Sequence, residues 1–103
     1  MKIPKEIKVL DHTYKVYIDS TNDSKKGKNN WSLTNHEHQE IHIDSGVEGT
    51  LRDEIFIHEV LHIITLFSGL SDDFDAGVAM SDEQVVNRLA PILTNVLKNN
   101  KLQ

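Results

Sequence analysis

The stretch Ile55-Phe56-Ile57-His58-Glu59-Val60-Leu61-His62-Ile63-Ile64-Thr65-Leu66-Phe67 constrains this chain more than any other. A helix that is apolar on nearly every side has to be buried, and burying two imidazoles and a carboxylate with it is costly unless each finds a partner. His58 and His62 are four apart, so on a helix they project from one face a single turn apart, and both can ligate one zinc ion at about 2.0–2.1 Å. Glu59 is rotated round from His58, which suits it to act on a bound water instead of ligating. The HExxH pattern arises by chance in roughly 2% of chains of this composition, so it is specific enough to carry an argument.

Composition narrows the chemistry further. The chain has 103 residues, six histidines and no cysteine, so disulfide scaffolds, thiolate zinc sites and iron–sulfur clusters are excluded, and any metal has to be held by histidine and carboxylate. A length of 103 residues fits one domain, with room for one core and one site. Sixteen acidic against eleven basic residues disfavours a nucleic-acid partner, which would need phosphates neutralised by basic side chains. No stretch approaches the roughly 20 apolar residues of a membrane span, and no apolar segment follows the basic start, so the sequence reads as a cytoplasmic protein with no membrane partner.

A catalytic zinc needs a third protein ligand and an open fourth position. Glu83 is the foremost candidate, because the intervening residues suffice to end one helix, turn and bring a second helix back beside it. Ser81-Asp82-Glu83-Gln84 has the spacing of a capping box, which sets Glu83 in the first turn of that second helix, where the macrodipole favours a carboxylate. Asp72, Asp73 and Asp75 are rival ligands on a loop, which would hold them less rigidly. Asn87, one turn beyond Glu83, is positioned to accept the free ring N–H of a ligand histidine. Pro91 withholds the N–H that would bond the carbonyl of Asn87; one reading is a local kink that offers this carbonyl to the site or to a water, and the favoured one is a kink with no part in the site.

The remainder of the chain reads as strands and turns. Period-two apolar positions at Ile7, Val9, Tyr14, Val16 and Ile18 predict a β-hairpin. Asp19 to Asn30 lacks apolar residues and predicts a long mobile loop, whose Lys25, Lys26 and Lys28 are expected to be solvated. Trp31-Ser32-Leu33-Thr34 and Gln39-Glu40-Ile41-His42-Ile43-Asp44 predict two more strands around a turn at 35–38. Thr50 to Asp53 offers an N-terminal cap to the first helix, and Gly69 suits its C-terminus.

His58-Glu59-Val60-Leu61-His62 followed by Glu83-Gln84-Val85-Val86-Asn87 resembles the gluzincin branch of zinc metallopeptidases, in which HExxH precedes a helix bearing ExxxD or ExxxN. The short chain, and the strand 39–44 leading into the motif, are similar to the small zincin-like proteins of phages and prophages related to the ImmA/IrrE group. The resemblance covers roughly residues 31–97. It implies an α+β fold, a small antiparallel sheet packed on an active-site helix and a glutamate helix. It also implies His58, His62 and Glu83 as zinc ligands, Glu59 as general base and Asn87 behind the ligands. The metzincin pattern is excluded, since it needs glycine and histidine where this chain has Thr65 and Ser68.

Two departures matter. Asn87 stands where many gluzincins have aspartate, which weakens support for a ligand histidine. Too few residues follow Glu83 to form the C-terminal subdomain that steadies the oxyanion in larger gluzincins, and Tyr14, Tyr17, His36, His38 and His42 are the groups left for that role. His36 and His38 themselves read as surface histidines. The expected function is hydrolysis of a peptide or protein substrate by a zinc-activated water with Glu59 as base. By fold analogy, the strand of Ile41 and Ile43 is expected to pair with an extended substrate. The alternative is a zinc-binding regulatory or interaction module with little or no peptidase activity, and a metal-free packing module is the third reading.

Overall fold

The computed structural model describes residues 2–19, 31–70 and 81–100. The expected mobile loop from residue 20 onwards, with Lys25, Lys26 and Lys28, lies outside the described residues, as do Asp72, Asp73 and Asp75. The N-terminal hairpin forms as β1 (Glu6–Val9) and β2 (His12–Asp19), antiparallel, with Ile7 opposite Tyr14 and Val9 opposite His12. β3 (Ser32–Asn35) and β4 (Glu40–Asp44) form the second antiparallel pair, with Thr34 opposite Ile41. The tight returns place Leu10 and Gln39 at φ 55° and 54°, in the left-handed region.

The fold is α+β, a four-stranded sheet with two helices, but the sheet is mixed where an antiparallel one was expected. Its order is β1-β2-β4-β3, with β2 and β4 parallel from Lys15 opposite Glu40 to Asp19 opposite Asp44. Period-two alternation specifies which residues share a face and leaves open which strand of one hairpin meets the other. Burial decides it here. Ile41, His42, Ile43 and Asp44 of β4 are all buried, whereas the residues of β3 are half-buried, so the strand that shelters both its faces takes the interior position.

Helix α1 (Gly49–Ser68) carries the apolar stretch, and α2 (Asp82–Asn99) follows the capping box. The cap of α1 falls at Glu48, not within Thr50 to Asp53, and the Thr50 hydroxyl accepts from Lys98 Nζ at 3.0 Å instead. Gly69 ends α1 with φ 81°, a left-handed conformation that a side chain would strain. α1 touches β3, β4 and α2, and lying between the sheet and the other helix covers most of its apolar residues, while Leu51, Ile64 and Leu66 remain exposed. Tyr14, Ile41 and Ile43 from the sheet, Phe56, Ile57, Leu61 and Ile63 from α1, and Val86 and Ala90 from α2 form one core.

Lys98, near the end of α2, also pairs with the buried Asp53 in the second turn of α1 at 3.2 Å. The helices are therefore antiparallel, and the first turn of α2 comes alongside the later part of α1. Pro91 sits within α2 without ending it.

Candidate metal centre

On α1 the four-residue spacing does what helical geometry requires, setting the rings of His58 and His62 with centroids 4.8 Å apart and their Nε2 atoms 3.1 Å apart. Glu83 arrives from α2. Ser81 accepts from the backbone N–H of Gln84, and the Gln84 side chain accepts from the backbone N–H of Ser81, so the helix start is fixed and Glu83 with it. Its Oε1 lies 3.1 Å from His58 Nε2 and its Oε2 lies 2.8 Å from His62 Nε2.

These three side chains fit a zinc ion by an elementary test. Ligand atoms at 2.0–2.1 Å from a tetrahedral centre are separated by about 3.3 Å, close to the observed spacings. All three residues offer ligand atoms within 4.8 Å of one another, and the donor set of two imidazoles and a carboxylate is one zinc accepts. Two Nε2 atoms at 3.1 Å repel unless a proton or a cation lies between them.

The group holding His62 from behind is Asp82, not Asn87. Asp82 Oδ2 accepts from His62 Nδ1 at 2.7 Å, which turns Nε2 towards Glu83 and His58, the side on which a metal ion would be held. Asn87 lines the same cavity but is exposed and makes no hydrogen bond to a histidine among the described residues. Helical spacing does put Asn87 on the face of Glu83, but it is the first turn of α2, not the second, that abuts His62. An acid directly beside a candidate ligand was the signal that sequence reasoning passed over.

Glu59 is buried, 8% exposed, and its carboxylate is taken from both sides. Ser32 Oγ donates to Oε2 at 2.9 Å and Thr34 Oγ1 donates to Oε1 at 2.7 Å. Ser32 and Thr34 stand on β3 opposite Ile43 and Ile41, on the side of the sheet that meets α1. Two hydroxyls at alternating strand positions were the readable trace of this clamp. They give both oxygens of a buried carboxylate the hydrogen bonds whose absence would be costly.

A cavity of about 750 Å³ joins these elements, lined by His58, Glu59, His62 and Glu83 and continuing past Trp31 and Leu51. Of the five residues available to face it, His36 lines the cavity, and Tyr14 stands behind His36 with its hydroxyl 2.9 Å from Nδ1. His36 is exposed, as expected of a surface histidine, and partial desolvation lowers its pKa, with the nearby Glu59 charge opposing and His62 reinforcing. His38 is exposed, and its backbone N–H bonds the Asn35 side chain. Tyr17 stacks on His42, whose ring nitrogens bond Asp19 and Glu40 at 2.8 and 2.9 Å, on the opposite face of β4 from Ile41 and Ile43.

The strand expected to pair with substrate is also corrected. β4 is bonded to β2 and β3 on its two sides and has no free edge, whereas β3, which lines the cavity, is one of the two edge strands among the described residues, β1 being the other. Comparison with protein-family models, curated proteins and solved structures gives no match. Among the described residues no helix is long and apolar enough to cross a membrane.

Proposed function

We propose that the chain is a zinc metallopeptidase of gluzincin type, with His58, His62 and Glu83 as ligands and Glu59 as general base. The observation that carries this reading is the convergence of three ligand side chains from two helices on one cavity that also receives Glu59. Zinc held there would lower the pKa of a water towards about 7 and polarise a peptide carbonyl. The residues of the chain then have distinct tasks. Asp82 keeps the His62 ring in the tautomer that presents Nε2. Glu59, held between two hydroxyl donors, is the acceptor for the proton of the attacking water and passes it to the leaving amine. The β3 edge offers backbone groups to an extended peptide or protein substrate.

Glu59→Gln tests the assignment: zinc content stays at the wild-type level while peptide hydrolysis falls by at least about 100-fold, the usual contribution of a general base. Undiminished hydrolysis in that variant would remove Glu59 from the reaction. One observation favours the second reading, a zinc-binding module with little turnover: both carboxylate oxygens of Glu59 already accept hydrogen bonds, from Ser32 and Thr34. On that reading Glu59→Gln leaves the biological effect intact.

A further inference from the structure

Resting on the peptidase reading, we propose that His36 donates a hydrogen bond from Nε2 to the substrate carbonyl oxygen as negative charge develops on it, with Tyr14 as its positioning residue. The Tyr14 side chain is fully buried at the core face of β2, so its hydroxyl proton needs an acceptor, and His36 Nδ1 at 2.9 Å is the hydroxyl's partner among the described residues. The phenol keeps that proton, because burial raises its pKa.

A hydroxyl that donates to Nδ1 fixes the neutral His36 ring in the Nε2–H tautomer. The two rings meet edge to face, with centroids 5.9 Å apart and planes at 80°, which holds the imidazole against rotation. With Nδ1 turned towards Tyr14, the Nε2–H edge faces away from it and has no partner among the described residues. His36, an exposed residue, lines the same cavity as His58, Glu59 and His62. A fixed N–H on the wall of that cavity supplies what an oxyanion site requires, since a donor aligned in advance costs no reorganisation during reaction. Tyr17 and His42 belong to the other face of the sheet and His38 does not line the cavity, so none of them competes for the role.

The experiment uses the full chain loaded with zinc and a phosphinic pseudo-tripeptide of glycine and leucine, a tetrahedral anion, as probe. Wild type, His36→Ala, His36→Gln and Tyr14→Phe are compared by elemental analysis, by calorimetric affinity for the probe and by long-range proton–nitrogen NMR of the imidazoles. The expected result is wild-type zinc content in every variant. His36→Ala should lose about 100-fold in probe affinity, at the low end of what removing one oxyanion donor costs. His36→Gln, which keeps an N–H donor, should recover part of that loss, and the wild-type NMR spectrum should show the proton on His36 Nε2. Equal probe affinity in wild type and His36→Ala, no probe binding by the zinc-loaded wild type, or a proton fixed on Nδ1 would overturn the role of His36 and leave the zinc site standing. A wild type that holds no zinc would remove the peptidase reading and this role with it, and elemental analysis separates that failure from the others.

Discussion

At the scale of single residues, Asp82 and Asn87 separate what the site uses from what merely borders it. Asp82→Ala should weaken zinc binding by about 10–100-fold, the usual effect of removing a carboxylate behind a ligand histidine, while Asn87→Ala stays within about twofold of wild type; chelator competition measures both. Equal losses in the two variants would restore Asn87 to the place the sequence suggests for it. Tyr14 supplies a pH signature. Its folded-state pKa is raised above the ordinary 10.0, so its contribution to stability is complete below pH 10 and is lost as the pH climbs through the folded value. Thermal unfolding followed from pH 9 to 11 should therefore show a steeper alkaline loss in wild type than in Tyr14→Phe. His58, His62 and Glu83 were legible in the sequence because helical spacing and a cap fix them locally. The roles of Asp82, Ser32 and Thr34, and the choice of His36 among five candidates, left only faint local traces, because each depends on a partner 20 or more positions away.

At the scale of elements, the capping box of α2 couples stability to the site. Ser81→Ala removes the acceptor for the Gln84 backbone N–H and should cost about 1 kcal/mol. For a domain of this size that corresponds to a fall in Tm of about 4–8 °C. Because Glu83 lies in the same turn, zinc affinity should fall with it, whereas a cap lost elsewhere would change Tm alone; a thermal melt and a zinc titration on one preparation distinguish the two. The box, the left-handed glycine after α1 and the two hairpins were all readable, since each is written within a few adjacent residues. The parallel union of β2 with β4 was not, because it depends on which strand needs shelter on both faces, and its connection passes through β3 at the far edge of the sheet.

Across the whole molecule, the site lies where α1, α2 and the edge strand β3 meet, and the candidate metal ligands belong to the two helices. Lys98 ties the far end of the helix pair to Asp53 and Thr50, so the pair is fastened at one end by an ion pair and at the other by the candidate ligands. A metal that binds only the folded chain raises its stability, by about 4 kcal/mol when free zinc is 1,000 times its Kd. Zinc should accordingly raise Tm in wild type and leave it unchanged in His58→Ala, as read by a scan at fixed protein concentration. The α+β class was visible in the sequence because a period of two gives way to an apolar helix and then an amphipathic one. How the helices and the sheet enclose a cavity was not, since that follows from packing between segments with no local signature. The most direct test of the account is zinc stoichiometry by elemental analysis of tag-free wild type, His58→Ala and Glu83→Ala prepared identically. One zinc per chain in wild type, lost or sharply reduced in both variants, is the predicted result; a wild type without zinc after reconstitution would contradict it and leave His58, His62 and Glu83 a cluster held together by protons alone.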